Sequence, residues 1–444
     1  MPARNTMRIL IAHEAPAGGG GVESYLAAIM PALAARGHDL AFLHHNSRSE
    51  HGPTEIGYPG IPTASIADDG LDAGLARMRA WHPDVCFSHN LRQLFVEERL
   101  TAFVPVVKMM HGYFGTCISG QKAHAFPGVQ PCGRVFGAAC LALFMPRRCG
   151  QLRPLLMIEQ YGWSSRQRRM FDRYAQVVVA SSHMAREYAR HGVTADRLVC
   201  APLFPTITQG ESPRQPPLDP VVLFAGRMTR LKGGDVLVRA VAIANRVLAR
   251  PARIVFAGVG PEQPHWESLA RELGVSATFH GWVTGADRIA VLRSATLVAV
   301  PSLWPEPFGL IGLEAAVQGV PAVAFDVGGI GQWLHDGVNG RMVHECASAE
   351  ALGTTIASML STPGEIDRLG VGALRVAASL GIDAHLDILE RVFVRAAESQ
   401  ARIPVGSGSG RTTTTGAGVG RAAALDVPPE IGRGKERLVT ASTP

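Results

Sequence analysis

The feature that most constrains this chain is a unit that occurs in both halves: a short apolar run, a loop of glycine or basic residues, then an amphipathic stretch. Near the N-terminus, Arg8-Ile-Leu-Ile-Ala12 leads into four glycines at 18–21, and apolar residues then recur at Leu26, Ile29, Met30 and Leu33 before Gly37. The short run predicts a strand. The spacing of three and four predicts a helix over about 22–36, with Gly37 as its stop. Leu40-Ala-Phe-Leu43 supplies the next strand, so the chain opens as a βαβ unit. In the second half Val221-Val-Leu-Phe-Ala225 leads into Gly226-Arg227-Met-Thr-Arg230-Leu-Lys232-Gly233-Gly234, followed by a helical pattern around 236–248. Further strands are expected at 84–87, 104–109 and 176–180, and at 253–257, 297–300 and 322–325. Strands alternating with helices indicate an α/β fold of two Rossmann-like domains.

The boundaries follow from composition. Pro213, Pro216, Pro217 and Pro220 mark 206–220 as an extended linker between a domain at 1–205 and one at 221–382. Residues 383–400 read as a helix that crosses back to the first domain. Residues 401–444 lack an apolar period and read as a disordered tail, or alternatively as a tether to anionic surfaces. Six of the Lys/Arg and three of the Asp/Glu fall there, so the tail carries half of the net charge of +6. The remainder is too small to argue for a nucleic-acid partner. The apolar run 135–145 is about half of the roughly 20 residues a bilayer crossing needs and reads as a buried helix. Residues 1–7 show no signal-peptide anatomy, which predicts a cytoplasmic protein.

Two motifs carry chemistry. In Trp304-Pro-Glu306-Pro307-Phe308-Gly309-Leu310-Ile-Gly-Leu-Glu314, Pro307 keeps Glu306 out of the helix, which then begins near Gly309 and carries Glu314. The amides of Phe308, Gly309 and Leu310 are left to receive phosphate or sugar oxygens, and Glu314 can accept from a pair of hydroxyls such as those of ribose. Read alone, the stretch is equally an acidic helix start facing solvent. The basic loop follows a strand, where an open α/β sheet presents its crevice, and Arg227 and Lys232 can converge on a diphosphate. Together the two motifs favour a nucleotide-sugar pocket.

Glu306 and Glu314 match the E-x7-E signature of retaining glycosyltransferases of family 4, which have the GT-B fold. Gly226-Arg227 with Lys232-Gly233 matches that family's G-R-x4-K-G loop. Gly258-Val-Gly260-Pro-Glu262, Phe279-His-Gly281-Trp-Val283 and Asp326-Val-Gly328-Gly329 resemble its other pieces in order, as do the glycine run with Glu23, His89-Asn90 and His111-Gly112 in the first half. The resemblance spans roughly 7–398. It implies a nucleotide-diphosphate sugar donor, UDP-linked rather than GDP-linked, and no required cofactor or catalytic metal. Arg227 and Lys232 would neutralise the diphosphate, Glu314 would hold the ribose, and Glu306 would position the sugar without forming a covalent bond. Phe308, Gly309, Leu310, Gly226, Gly258 and Val283 would line the donor site. His111 would face the reacting sugar, and Gly19, Gly20, Gly21 and Glu23 would approach phosphate or acceptor. Gln332 stands where many relatives carry Glu.

The acceptor is expected at the first domain, chiefly at 111–174. Cys117, Cys132, Cys140 and Cys149 crowd this segment, as buried thiols or as a structural metal site, although close C-x2-4-C pairs are missing. Arg147, Arg148, Arg153, Arg166, Arg168, Arg169 and Arg173 mix with Leu155, Tyr161, Trp163 and Phe171, either as a helix with a solvated basic face or as a surface for anionic lipid. A saccharide or lipid-linked saccharide acceptor and a role in cell-surface polysaccharide synthesis follow as expectations, with contact to the inner face of the membrane. The competing readings are a sugar-nucleotide epimerase and a non-catalytic nucleotide-sugar-binding protein. A nicotinamide dehydrogenase fits poorly, because Glu23 stands where the last glycine of G-x-G-x-x-G would fall.

Overall fold

A computed structural model describes residues 6–47, 54–56, 60–210, 214 and 217–401. The expected tail and part of the expected linker lie outside the described residues.

Two parallel sheets form the framework. The first contains β1 (Arg8–His13), β2 (Asp39–His44), β3 (Thr63–Ser65), β4 (Val85–Ser88), β5 (Val106–Met110), β6 (Gln176–Val179) and β7 (Leu198–Cys200). Its spatial order is β7-β6-β5-β4-β1-β2-β3. The second contains β8 (Val221–Ala225), β9 (Arg253–Ala257), β10 (Ala277–Phe279), β11 (Leu297–Val300), β12 (Ala322–Phe325) and β13 (Gly340–Val343), in the order β10-β9-β8-β11-β12-β13. Each chain path runs outward from a first strand, then returns to the other side of it. Both sheets therefore have one crevice where the strand order reverses, at the carboxyl ends of β1 and β4 and of β8 and β11. The central strands are mostly apolar because helices cover both faces of a parallel sheet. Ile9, Leu10, Ile11, Val222, Leu223 and Val298 are fully buried.

Several elements coincide with the apolar runs residue for residue, among them β8, β9, β11 and β12. The helix α1 (Gly21–Ala35) ends on Arg36, and Gly37 follows at φ 93°, the left-handed turn a glycine allows. The run 135–145 is a correction. Only α2 (Ala139–Phe144) is helical there, Phe144 alone of that helix is buried, and Val135 is exposed. The run lacks a helical period, and its Phe136 and Phe144 pack with Ile118 as a small satellite core instead.

A long C-terminal helix, α7 (Ile382–Ala401), lies against the first sheet. Arg36 binds Asp383, Asp387 and Glu390 at 2.7, 2.6 and 3.2 Å, and the Phe87 and Phe393 rings are 5.1 Å apart. Residues 365–399 have the length and composition to cross a bilayer. They are two helices here, α6 (Glu365–Ser379) and α7, and Leu386, Leu389 and Phe393 are buried in the protein.

The helix α5 (Leu310–Val317) follows β11 and sits tight on Trp333: a Cβ at Gly312 would overlap the indole ring. Gly312→Ala is expected to lower stability by about 1–3 kcal/mol, as overpacking of a filled core does. Denaturant unfolding measures this, and an unchanged midpoint would contradict the packing.

Candidate active site

The second crevice gathers the acidic and basic motifs. The chain leaves β8 at Ala225, passes Gly226 and Arg227, and turns back through Lys232 and Gly233 into α4 (Gly234–Ala244). Gly233 has φ 66°, and a Cβ there would strike the carbonyl of Pro301 just past β11. Only glycine permits this approach. It brings Lys232 onto Glu306, whose Oε1 accepts from Lys232 Nζ, from Ser302 Oγ at 2.6 Å and from Trp304 Nε1 at 2.9 Å. Glu306 is buried, and the loop after β12 closes on its backbone: Gly329 N donates to the Glu306 carbonyl at 2.6 Å. A buried carboxylate with three donors is held in one position.

The expected donor-side residues are brought together, with adjustments. Gly309 caps α5 in the left-handed region, and the amides of Phe308, Gly309 and Leu310 donate to no group among the described residues. Trp333 Nε1 donates to the Phe308 carbonyl at 2.7 Å and fixes that turn. Gly226 and Gly258 bond to Ala257 and Gly281, so the loops after β8, β9 and β10 run side by side, with Val283 half-buried beside them. Arg227 is exposed and makes no ion pair among the described residues. Lys232 is paired with Glu306, whereas Arg227 is solvent-exposed, so the two cations expected to converge on a diphosphate stand in different surroundings. Glu314 is also buried rather than open to hydroxyls. Its oxygens bind Arg288 and, at 2.9 Å, Thr206 Oγ1. Burial raises its carboxyl above the ordinary range, against the opposing pull of Arg288.

The first domain faces this site through the ends of β5 and β6. Ser181 Oγ donates to the Pro307 carbonyl at 2.7 Å, and Ser182 N donates to Gln332 Oε1 at 3.1 Å. An amide oxygen thus does at Gln332 what a carboxylate oxygen would do. Tyr113, three residues beyond β5, is buried 6.4 Å from the Trp304 ring.

At the first crevice, His89 Nδ1 and His111 Nε2 are 2.9 Å apart, and Tyr25 lies against both rings. Glu23 folds back over the glycine run. Its Oε1 is 3.6 Å from His13 Nε2, and a Cβ at Gly18 or Gly20 would collide with it. Burial raises the Glu23 carboxyl, but His13 and the amides of Glu23 and Gly20 outweigh this and hold it at about 2. The Glu23 carboxylate thus packs on Gly18 and Gly20, within the glycine run expected to approach phosphate or acceptor.

The cysteine segment stands on the satellite core. Cys117, Cys132, Cys140 and Cys149 are all free and half-buried. Burial and the other three thiols push Cys149 up to about 12. Among the described residues, no group of three or more His, Cys, Asp or Glu is placed to hold a metal ion. The basic and aromatic cluster does not share one face. Phe171 is buried, Arg168 donates to the Phe136 carbonyl at 3.0 Å, and Trp163 to the Arg92 carbonyl at 2.8 Å. On α3 (Pro154–Met170) the exposed apolar residues are Leu155 and Ile158, beside exposed Leu152.

Arg288, Thr206, Tyr113 and His13 lie outside the charged motifs, and only the folding of the chain into the two crevices makes them neighbours of the site residues. Ser302 and Trp304 were legible in part, because they flank Glu306.

Two family models tile most of this chain: Glycosyltransferase Family 4 over residues 19–204 and Glycosyl transferases group 1 over residues 208–373. The chain belongs to glycosyltransferase family 4. Among family relatives, the D-inositol 3-phosphate glycosyltransferase of Nocardia farcinica is 39% identical over 174 residues, 36% of this chain and 37% of that one. The enzyme of the same name from Streptomyces griseus is 35% identical over 195 residues, 41% of this chain and 40% of that one. The matches thus span about two fifths of the relatives' length. The GT-B fold is shared with an Anabaena protein, Alr3699/HepE, crystallised with UDP and glucose: TM-score 0.60, 18% identity, 89% of this chain and all of that one. A Rickettsia africae glycosyltransferase gives TM-score 0.61 at 15% identity, over 88% of this chain and 99% of that one.

The buried histidines make this family-4 site sensitive to acid. Burial, foremost, holds His111 at about 3 and His385 at about 4, and shifts His89 the same way, from an ordinary 6.5. A base whose folded pKa lies below its unfolded one binds fewer protons when folded. Stability is then full above about pH 6.5 and is lost as pH falls toward 4, by up to ~1.4 kcal/mol per pH unit for each histidine. Glu14 and Glu314, raised by burial, act in the opposite sense. Glu23, lowered from an ordinary 4.5, loses its contribution as pH falls from about 4.5 through about 2, largely below the window in which the histidines act. Tm is expected to fall steadily from pH 6.5 to 4.5, and a flat profile would contradict the neutral cluster.

Proposed function

We propose that this protein is a retaining, metal-independent glycosyltransferase that moves a hexosyl group from a nucleoside diphosphate sugar to a saccharide. The observation that carries the reading is the buried Glu306 carboxylate, held by Lys232, Ser302 and Trp304 beside the free amides of Phe308, Gly309 and Leu310. Those amides and the Lys232 and Arg227 cations suit a diphosphate that gains charge as it departs. Glu306 turns its carboxylate toward sugar hydroxyls, and Arg288 with Glu314 forms the polar wall for the nucleoside. UDP is the favoured carrier, in line with the Anabaena protein crystallised with UDP and glucose.

The acceptor side is the segment 111–174. An open groove runs between Val129 and Gln130 of this segment and Arg230, Asp235 and Leu303 of the second domain. We assign the acceptor to this wall, with a lipid-linked saccharide favoured by Leu152, Leu155 and Ile158, which stand exposed among Arg147, Arg148 and Arg153. The cytoplasmic face of a membrane, and the assembly of cell-surface polysaccharide, are the matching setting. The names of the Nocardia and Streptomyces relatives favour a second reading, an inositol phosphate acceptor.

A thermal-shift panel of nucleoside diphosphates and their sugars selects the donor. With that donor, NMR of the product is expected to show a retained anomeric configuration, and EDTA is expected to leave the rate unchanged. Lys232→Ala is expected to lower kcat/KM by a factor that corresponds to about 2–4 kcal/mol. An inverted product, a divalent-ion requirement, or wild-type kcat/KM in Lys232→Ala would overturn the assignment.

A further inference from the structure

The histidine pair at the first crevice has a hydrogen-bond pattern that only one arrangement of protons satisfies. His89 is fully buried, and its Nε2 has no partner, while its Nδ1 faces His111 Nε2 at 2.9 Å. One proton must lie between those two nitrogens. If His111 supplied it, neutral His89 would carry its own proton on Nε2, a buried N–H with no acceptor. If His89 supplies it, Nε2 is left as an unfilled acceptor, which proteins tolerate more readily than an orphaned N–H.

The surroundings close the other routes. Tyr25 touches both rings, but its hydroxyl is committed elsewhere. His385 Nδ1 is 2.8 Å from the Pro202 carbonyl and must donate to it, so His385 Nε2 accepts from Tyr25 at 2.7 Å. Lys108 donates to the His89 carbonyl and anchors its backbone. The remaining neighbours, His13 and Glu23, face each other across the glycine run. Burial keeps His89 and His111 neutral, so neither ring carries two protons.

We propose that His89 is a positioning residue: its Nδ1–H bond to His111 Nε2 fixes the tautomer of His111, which therefore presents an Nδ1–H donor to the cleft. His111 Nδ1 has no protein partner among the described residues, and His111 is the half-buried member of the pair. A donor of this kind recognises a hydroxyl or a developing anionic oxygen, and it cannot serve as a general base. The role in catalysis rests on the glycosyltransferase reading, whereas the tautomer does not.

Long-range 1H–15N NMR of histidine-labelled protein at pH 7 reads the tautomer, with the His111 signals assigned by their loss in His111→Gln. The wild type is expected to show a protonated Nδ1 and a bare Nε2 at His111. His89→Asn, which keeps a side-chain N–H donor, is expected to preserve that pattern. His89→Phe is expected to shift His111 to the Nε2–H form and to lower kcat/KM for the nucleotide sugar about tenfold, with UDP affinity unchanged. A wild-type His111 protonated at Nε2 overturns the proposal, as does an unchanged tautomer in folded His89→Phe. If no nucleotide sugar is turned over, the functional reading fails, and the NMR result still decides the tautomer.

Discussion

The site depends on one buried carboxylate. Glu306 lies in a loop rather than a helix, and burial would be costly without compensation. The compensation comes from three directions: Lys232 from the loop after β8, Ser302 and Trp304 from the loop after β11, and Gly329 from the loop after β12 through the Glu306 carbonyl. Three strand ends are thereby bound to one residue. The close glycine contacts follow from this. A Cβ at Gly233 would meet the Pro301 carbonyl, and one at Gly328 would meet the Glu306 backbone. The amides of Phe308, Gly309 and Leu310 stay free because the turn that exposes them is held by Trp333 on one side and by Ser181 of the first domain on the other.

The same logic holds in the first domain with neutral groups. At the end of β1 and β4 the chain gathers histidine and tyrosine side chains beside the buried Lys108–Glu97 ion pair, and α7 completes their hydrogen bonds through His385. That helix comes from the far end of the described chain, and it is tied to Arg36 by three carboxylates. The contacts give α7 a direct bearing on the crevice of the first domain, since Tyr25 bonds His385 and packs on His111. The two sides of the site thus differ in kind: charged and fixed at Glu306, neutral and tautomer-dependent at His111.

Much of this was legible in the residues. Central strands of a parallel sheet are buried on both faces, so β8, β9, β11 and β12 appear as unbroken apolar runs with sharp ends. Pro307 correctly kept Glu306 out of α5. The ion pairs were less legible. Lys232 and Arg227 look alike in sequence, yet one is paired and the other exposed, because only Lys232 lies where Gly233 folds the loop onto Pro301. Arg288 could not be paired with Glu314 without the topology, since 26 residues separate them. The segment 111–174 was hardest. Its small core of Ile118, Phe136 and Phe144 comes from separate turns, and a periodic pattern cannot announce such a cluster.

A crystal structure with a bound UDP-sugar would test the central claim most directly. The diphosphate is expected against the amides of Phe308, Gly309 and Leu310 with Lys232 and Arg227 beside it, and Glu306 is expected within hydrogen-bond distance of sugar hydroxyls. Nucleotide bound in the first crevice, or a sugar with no contact to Glu306, would contradict it.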